Sequence, residues 1–227
     1  MKRTKLDDRV LPSYTKGEEI FNMVTHICGS VLGIVAIVLL SIFGAIHHNP
    51  YAVVSGVIFG VSMVVLYTMS SIYHGLSPKL KAKKVFQIFD HCAIFLLIAG
   101  SYTPFALCTF REYDTASTTL GWTIFGIIWG TAALGILFNS IDIKKYRYLS
   151  MACYLLMGWC IIVKASILPQ LLTNFGFGLL LAGGIVYSIG AILYGLGKKK
   201  KYIHSVFHIF IFLGSLLHFF CILFYVI

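Results

Sequence analysis

Charge is scarce in this chain. Asp, Glu, Lys and Arg make up 11% of its 227 residues, whereas the wetted surface of a soluble domain calls for roughly 25%. Acidic side chains are the scarcest, eight against 18 Lys and Arg. This excludes a water-soluble globule. The six cysteines form no CxxC pair and all fall within apolar runs, which argues against a disulfide framework and reads them as small buried hydrophobes. There is no low-complexity segment, no internal repeat and no polar stretch large enough for a separate catalytic or ligand-binding domain. A cleavable signal peptide is not expected either. The first apolar run, from Phe21 to about Ile46, is too long for a signal core and has no small-residue cleavage site behind it.

What the chain has in abundance is apolar surface. Hydrophobic residues make up 59% of it, with a mean hydropathy of +0.89. At ~20 residues per spanning helix, the length allows about seven spans, and the apolar runs fall at 21–46, 51–75, 85–110, 118–141, 148–168, 174–197 and 202–227. The expected fold is all-α, a seven-transmembrane-helix bundle over residues 21–227 behind a cytoplasmic segment of residues 1–20. Its breaks are chemically legible. His47-His48-Asn49-Pro50 is an outer turn with proline opening the next helix. Ser77-Pro78 opens an inner loop, Arg111 to Asp114 form an outer polar one, and Leu168-Pro169 ends the fifth span.

The net charge of +10 would suggest nucleic acid in a soluble protein, but here it sorts by loop. Lys2, Arg3, Lys5, Arg9 and Lys16 precede the first run, and Lys79, Lys81, Lys83 and Lys84 lie between the second and third. Lys144, Lys145 and Arg147 follow the fourth, and Lys198 to Lys201 follow the sixth, so alternate loops hold 16 of the 18 basic residues. Cytoplasmic loops collect Lys and Arg. The N-terminus is therefore expected inside and the C-terminus outside, with the basic loops beside anionic headgroups and no nucleic-acid partner. Lys164 snorkels to an interface. The spacings Gly29-xxx-Gly33, Gly56-xxx-Gly60 and Gly126-xxx-Gly130 read first as internal helix packing, with a dimer contact as the alternative.

Polar residues inside a membrane need a reason, and once the loop charges are set aside the remainder sort by depth. Glu19, Asn22 and His26 lie where the first span leaves the cytoplasm, and Ser70 and His74 where the second returns. Asp90 and His91 begin the third span, and His204 and His208 the seventh. Four helices thus carry polar residues at one level, with His218 apart. His204-xxx-His208 sets two imidazoles a turn apart on one face, as chelation requires. With His74 as a third nitrogen ligand, the fourth tetrahedral position stays open, the arrangement of catalytic zinc. Asp90 then serves as general base or as orienting residue. Imidazoles favour Zn2+ over calcium or magnesium. Each residue alone has a plainer reading. The two α-helical histidines can simply be hydrogen-bonded, Ser70 can bond its own helix carbonyl, Asp90 can pair with one of Lys81 to Lys84, His91 can make a helix contact, and His26 reads as a structural hydrogen-bonder. The convergence of four helices favours the metal site.

These residues also resemble a known pattern. Glu19-xx-Asn22-xxx-His26-xx-Gly29, Ser70-xxx-His74 with Asp90 sixteen residues on, Gly100-Ser101-Tyr102-Thr103-Pro104-Phe105, and His204-xxx-His208 together resemble the hemolysin III family. That is the bacterial branch of the progestin and adipoQ receptor (PAQR) membrane proteins, in a wider grouping with alkaline ceramidases. The resemblance spans essentially the whole chain. It implies zinc held by His74, His204 and His208, with Asp90 on the water at the metal and Ser70 near the reacting group, in a bacterial plasma membrane. The expected function is a zinc-dependent hydrolase of a lipid amide or ester near the inner leaflet, with membrane lipids as partners and one of them as substrate. The alternatives are a cytolysin, as the family name suggests, or a receptor or regulator in which zinc is structural. The chain has no amphipathic segment of the kind that inserts to form pores.

Overall fold

The structure is a computed structural model that describes residues 4–113, 119–196 and 200–227. Lys2, Arg3, Asp114, Thr118, Gly197, Lys198 and Lys199 of the sequence reading lie outside the described residues. Within them all regular structure is helical. Helix α1 (Lys16–Ile46) opens with a capping box in which Thr15 and Glu18 satisfy each other's backbone N–H groups. Its buried stripe runs Asn22, His26, Gly29, Gly33, Ala36 and Leu40, a spacing of three and four that defines one helical face. The other face exposes Val24, Ile27, Val31, Ile34, Val38 and Ile42, which suits lipid.

Helix α2 (Pro50–Gly75) starts where expected. Proline sits in its first turn, and the Asn49 side chain accepts from the N–H groups of Tyr51 and Ala52. Helix α3 (Lys81–Pro104) continues through a π-helical turn (Phe105–Phe110) into the short α4 (Arg111–Tyr113). Pro104 has no N–H and its ring crowds the preceding turn, so the hydrogen-bond ladder resumes with a wider spacing.

Among the described residues, six helices are long and apolar enough to cross a membrane. The fourth and fifth expected spans fall in one continuous stretch, α5 (Thr119–Trp159) with a 3-10 turn (Cys160–Lys164) that ends on Lys164. That stretch of 46 residues would run ~70 Å as a straight helix, over twice the ~30 Å of bilayer hydrocarbon. It is not straight. Asp142 is extended (φ −163°, ψ 101°), and its Oδ1 accepts from the backbone N–H of Lys144 (3.0 Å) and Lys145 (3.2 Å). A carboxylate receiving those two N–H groups restarts the helix as an N-cap does. Leu168-Pro169, expected as the end of the fifth span, instead opens α6 (Leu168–Leu196), whose backbone breaks at Thr173 (φ 60°) before the main run. Proline in a first helical turn lacks only an N–H that had no partner there. Helix α7 (Ile203–Tyr225) completes the bundle.

Both ends of the bundle are fixed by contacts distant in sequence. At one end the Tyr202 N–H donates to Glu18 (2.7 Å), the Thr4 N–H to Asp142 (2.8 Å), and Lys81 pairs with Asp7 (2.9 Å). At the other the His47 ring hydrogen-bonds the Ile227 carbonyl (2.5 Å), and Asn49 donates to Glu112 (3.1 Å). Helices α1 and α7 therefore start together and finish together. Between the ends lies an apolar core with Leu40, Phe59, Met63, Tyr67, Phe105, Leu172, Phe219 and Ile222 at its centre. All six cysteines are free. The expectation that all are buried holds for Cys92, Cys108 and Cys221 but not for Cys28, which is exposed on α1.

Small residues set how closely the helices approach. A Cβ at Gly60 would stand 2.5 Å from Ile37 Cγ1, and one at Gly33 2.9 Å from Val64 Cγ2, so the glycine pairs of α1 and α2 serve internal packing. Gly126 and Gly130 have nothing within 4 Å. At Gly100 a Cβ would collide with the Ser62 side chain. Gly100→Val should therefore destabilise the purified protein by ~1–3 kcal/mol, the range for overpacking. Gly126→Val, on the open face, should cost much less. Thermal unfolding in detergent checks both, and equal losses would refute the packing account.

Candidate functional site

The end of the bundle that carries Glu18, Asp142 and Tyr202 also carries the polar layer. Helix α2 delivers His74 in its last turn, and α7 delivers His204 and His208 in its first two. All three are buried, 3%, 8% and 1% exposed. One ring nitrogen from each lies within 4.8 Å of the others. The Nε2 atoms of His204 and His208 are 3.1 Å apart. Two nitrogens bound to one tetrahedral zinc stand about 3.3 Å apart, given Zn–N of 2.0–2.1 Å, so the pair on α7 already has a chelating separation.

The donor set fits a metal on a second count. His74 Nε2 is buried without a hydrogen-bond partner among the described residues. A buried polar atom left unmatched costs ~1–3 kcal/mol, and a cation coordinated by His74 Nε2 would supply its missing partner. The opposite nitrogen, His74 Nδ1, meets the Glu19 carboxylate at 2.6 Å, with the Asn22 amide nitrogen 3.5 Å away. The other Glu19 oxygen accepts from Lys83 Nζ, also at 2.6 Å. Three helices thus join in one chain of contacts, α3 to α1 to α2.

Asp90 and His204 line a common cavity of about 750 Å³, together with Tyr14, Tyr73 and Tyr194. Asp90 Oδ2 lies 3.6 Å from His91 Nδ1. The lysines that offered Asp90 a simple salt bridge have other partners: Lys81 pairs with Asp7, Lys83 with Glu19, and Lys84 donates to the Asp7 carbonyl. Ser70 is buried on α2, one turn in from His74. Its neighbour Ser71 is the one that bonds back to the carbonyl four residues earlier, Tyr67 O at 2.7 Å. His91 makes the helix contact expected of it, reaching Tyr194 on α6 at 3.1 Å. His218, at the far level, bonds the Leu180 carbonyl at 3.2 Å.

Two residues behave differently from the sequence reading. His26 is not a hydrogen-bonder, because neither ring nitrogen has a partner among the described residues. It packs on His208 with ring centroids 3.8 Å apart and edge-on to Tyr67 at 4.9 Å. Tyr14, which the sequence did not single out, stacks on His204 (4.8 Å, 17°) and lines the cavity beside it. Burial pushes its phenol above its ordinary pKa. No periodic signal marks Tyr14, since it precedes the helix. Glu19 was visible as a member of the layer, but its partner was not.

Comparison with known proteins accounts for the pattern as a whole. The family described as "Haemolysin-III related" matches residues 14–219. The chain is 45% identical over 210 residues to "Hemolysin-3" of Bacillus cereus, covering 92% of each. It is 43% identical over 212 residues to the "Hemolysin-3 homolog" of Bacillus subtilis (strain 168), covering 93% of this chain and 96% of that one. A more distant relative is the human "Monocyte to macrophage differentiation factor", 24% identical over 209 residues, 90% of this chain and 83% of that one. With its apolar helices and four spaced motifs, the chain belongs to the haemolysin-III-related family of multi-pass membrane proteins.

Proposed function

We propose that the chain is a zinc-dependent membrane hydrolase acting on an amide or ester bond of a lipid, from the end of the bundle that faces the cytoplasm. The observation that carries this reading is the meeting of three buried imidazoles from two distant helices beside a cavity that Asp90 also lines. His74, His204 and His208 would hold the ion. When bound, zinc supplies a Lewis acid and brings the pKa of water from about 15.7 to about 7. Asp90 accepts a proton at its carboxylate, and Ser70 donates its hydroxyl to charge developing on the carbonyl oxygen. The surrounding aromatic rings exclude bulk water, and the acyl chains of the substrate stay in the bilayer. A lytic role rests on the relatives' names alone.

Seven crossings, with the N-terminus inside, complete the reading. Helices α1 and α7 run in the same direction, which calls for an odd number of crossings, and the stretch broken at Asp142 is long enough for two. The basic side chains Lys81, Lys84, Lys144, Lys145, Lys200 and Lys201 belong to the end that carries the histidines, and cytoplasmic loops collect such charge. A reporter fused after Ile227 should read as extracytoplasmic and one inserted near Lys81 as cytoplasmic. A cytoplasmic C-terminus would break the count.

Purified protein should carry about one zinc per chain by metal analysis. His74→Ala, His204→Ala and His208→Ala should each lose it or bind it far more weakly, whereas His47→Ala and His48→Ala, at the opposite end, should keep it. Equal losses at both ends would mean adventitious binding.

Asp90→Asn separates binding from chemistry, because an amide keeps the size and polarity of the carboxylate but takes up no proton at neutral pH. Its zinc affinity should stay within roughly tenfold of wild type. Lipid turnover by protein in phospholipid vesicles, read by mass spectrometry, should fall ~10²-fold or more. Wild-type turnover by this variant would remove Asp90 from the mechanism. Dye release from the same vesicles without any turnover would favour lysis over hydrolysis.

A further inference from the structure

We propose that Glu19 is the positioning carboxylate of the metal centre: it accepts a hydrogen bond from the Nδ1–H of His74 and so presents the Nε2 lone pair to the ion, while Lys83 holds the carboxylate in place. The inference rests on the zinc reading above. A neutral imidazole has one N–H and one lone pair, and which nitrogen carries which is set by the hydrogen bond the ring makes. A carboxylate only accepts. With Glu19 Oε2 at 2.6 Å from Nδ1, the N–H of His74 belongs on Nδ1. The free lone pair then falls on Nε2, the buried nitrogen without a partner.

The second oxygen of Glu19 decides what a substitution there will do. Lys83 is 1% exposed along its side chain. Its ammonium donates to Glu19 Oε1 (2.6 Å) and to the Leu76 carbonyl (2.9 Å), and it lies 5.0 Å from the centre of the Tyr73 ring. A buried ammonium demands acceptors on every side it can reach. In Glu19→Gln the single amide oxygen is therefore drawn to Lys83, and the amide NH2 is left facing His74 Nδ1. That nitrogen must now accept, the ring proton moves to Nε2, and the ligand lone pair is lost. The surrounding geometry scarcely changes, yet the tautomer is wrong for a metal.

The alternative is that the Lys83–Glu19–His74 chain merely ties α3, α1 and α2 together. The two accounts part on a double variant. If Glu19 acts through the His74 tautomer, removing Lys83 frees the glutamine to turn its oxygen back to Nδ1. Glu19→Gln/Lys83→Met should then bind zinc more tightly than Glu19→Gln alone. A staple would give the reverse, since losing both ends is at least as harmful as losing one.

The experiment is zinc affinity by chelator competition in detergent, with thermal unfolding as a check on folding. Glu19→Gln should weaken zinc ~10- to 100-fold, the scale for outer residues that orient a ligand, and the double variant should recover severalfold of that loss. In a His74→Ala background Glu19→Gln should change the residual affinity little. Should Glu19→Gln fail to fold, Glu19→Asp, still anionic but one methylene short, should weaken zinc without losing the fold. The proposal is overturned if Glu19→Gln, or Glu19→Asp in its place, binds zinc like wild type. It is also overturned if the double variant binds no better than Glu19→Gln. Failure of the zinc reading itself looks different, because wild type would then take up no zinc.

Discussion

Everything at the functional end of this bundle follows from one constraint: a polar group surrounded by helices and lipid must find its partner inside the protein, because no water is there to supply one. The chain meets it by collecting its buried Glu, Asp, Lys and His side chains at one level. Lys83 would be prohibitively placed alone, and so would Glu19, but each lies 2.6 Å from an opposite partner. Glu19 in turn holds His74. The constraint is met on one side of that ring and left open on the other, where His74 Nε2 faces two more imidazoles. An ion held among the three imidazoles would match that nitrogen.

Close helix packing is what makes those distances attainable. Glu19 reaches His74 because α1 and α2 lie almost backbone to backbone, Gly33 against Val64 and Gly60 against Ile37. In a bilayer, where apolar side chains gain little by leaving lipid, such contact comes from dispersion and from small residues that admit it. The same stripe of α1 therefore does two things along its length. Its small residues seat the helix on α2, and its polar residues, Asn22 and His26, continue that face into the site. A bulky side chain on the glycine stripe would move the carboxylate as well as the helix.

The sequence was most informative where chemistry follows helical periodicity. His204 and His208 are one turn apart on any α-helix, and the depth at which four spans carry polar residues brought His74 and Asp90 to the same level before any coordinates. Pairings that depend on how helices rotate against one another were not legible. Nothing in the run Lys81 to Lys84 distinguishes Lys83, which is buried, from Lys81, which is exposed. The break at Asp142 was hidden for a related reason. It depends on a carboxylate whose backbone partners include Thr4, far away in sequence. Segment 4–15 has no apolar period to read, so its passage across the end of the bundle, ending with Tyr14 on His204, emerges only from tertiary contacts.

That segment gives the cavity two unlike walls. On the helix side the wall is built of packed contacts: Tyr14 on His204 and Tyr194 on His91. Towards solvent the segment is held by the Asp7–Lys81 pair, with both side chains mostly exposed, and by Lys84 on the Asp7 carbonyl. Lys81 holds the Asp7 carboxyl below its ordinary pKa, yet an ion pair open to water adds little stability and is screened by salt. Local stability follows burial and contact density. The side of the cavity that carries His204 is thus the more firmly packed one, and the solvent-side ties of the segment are the first to give way. A ligand arriving from the solvent side would meet the weaker wall first. The three imidazoles stand behind the stronger one.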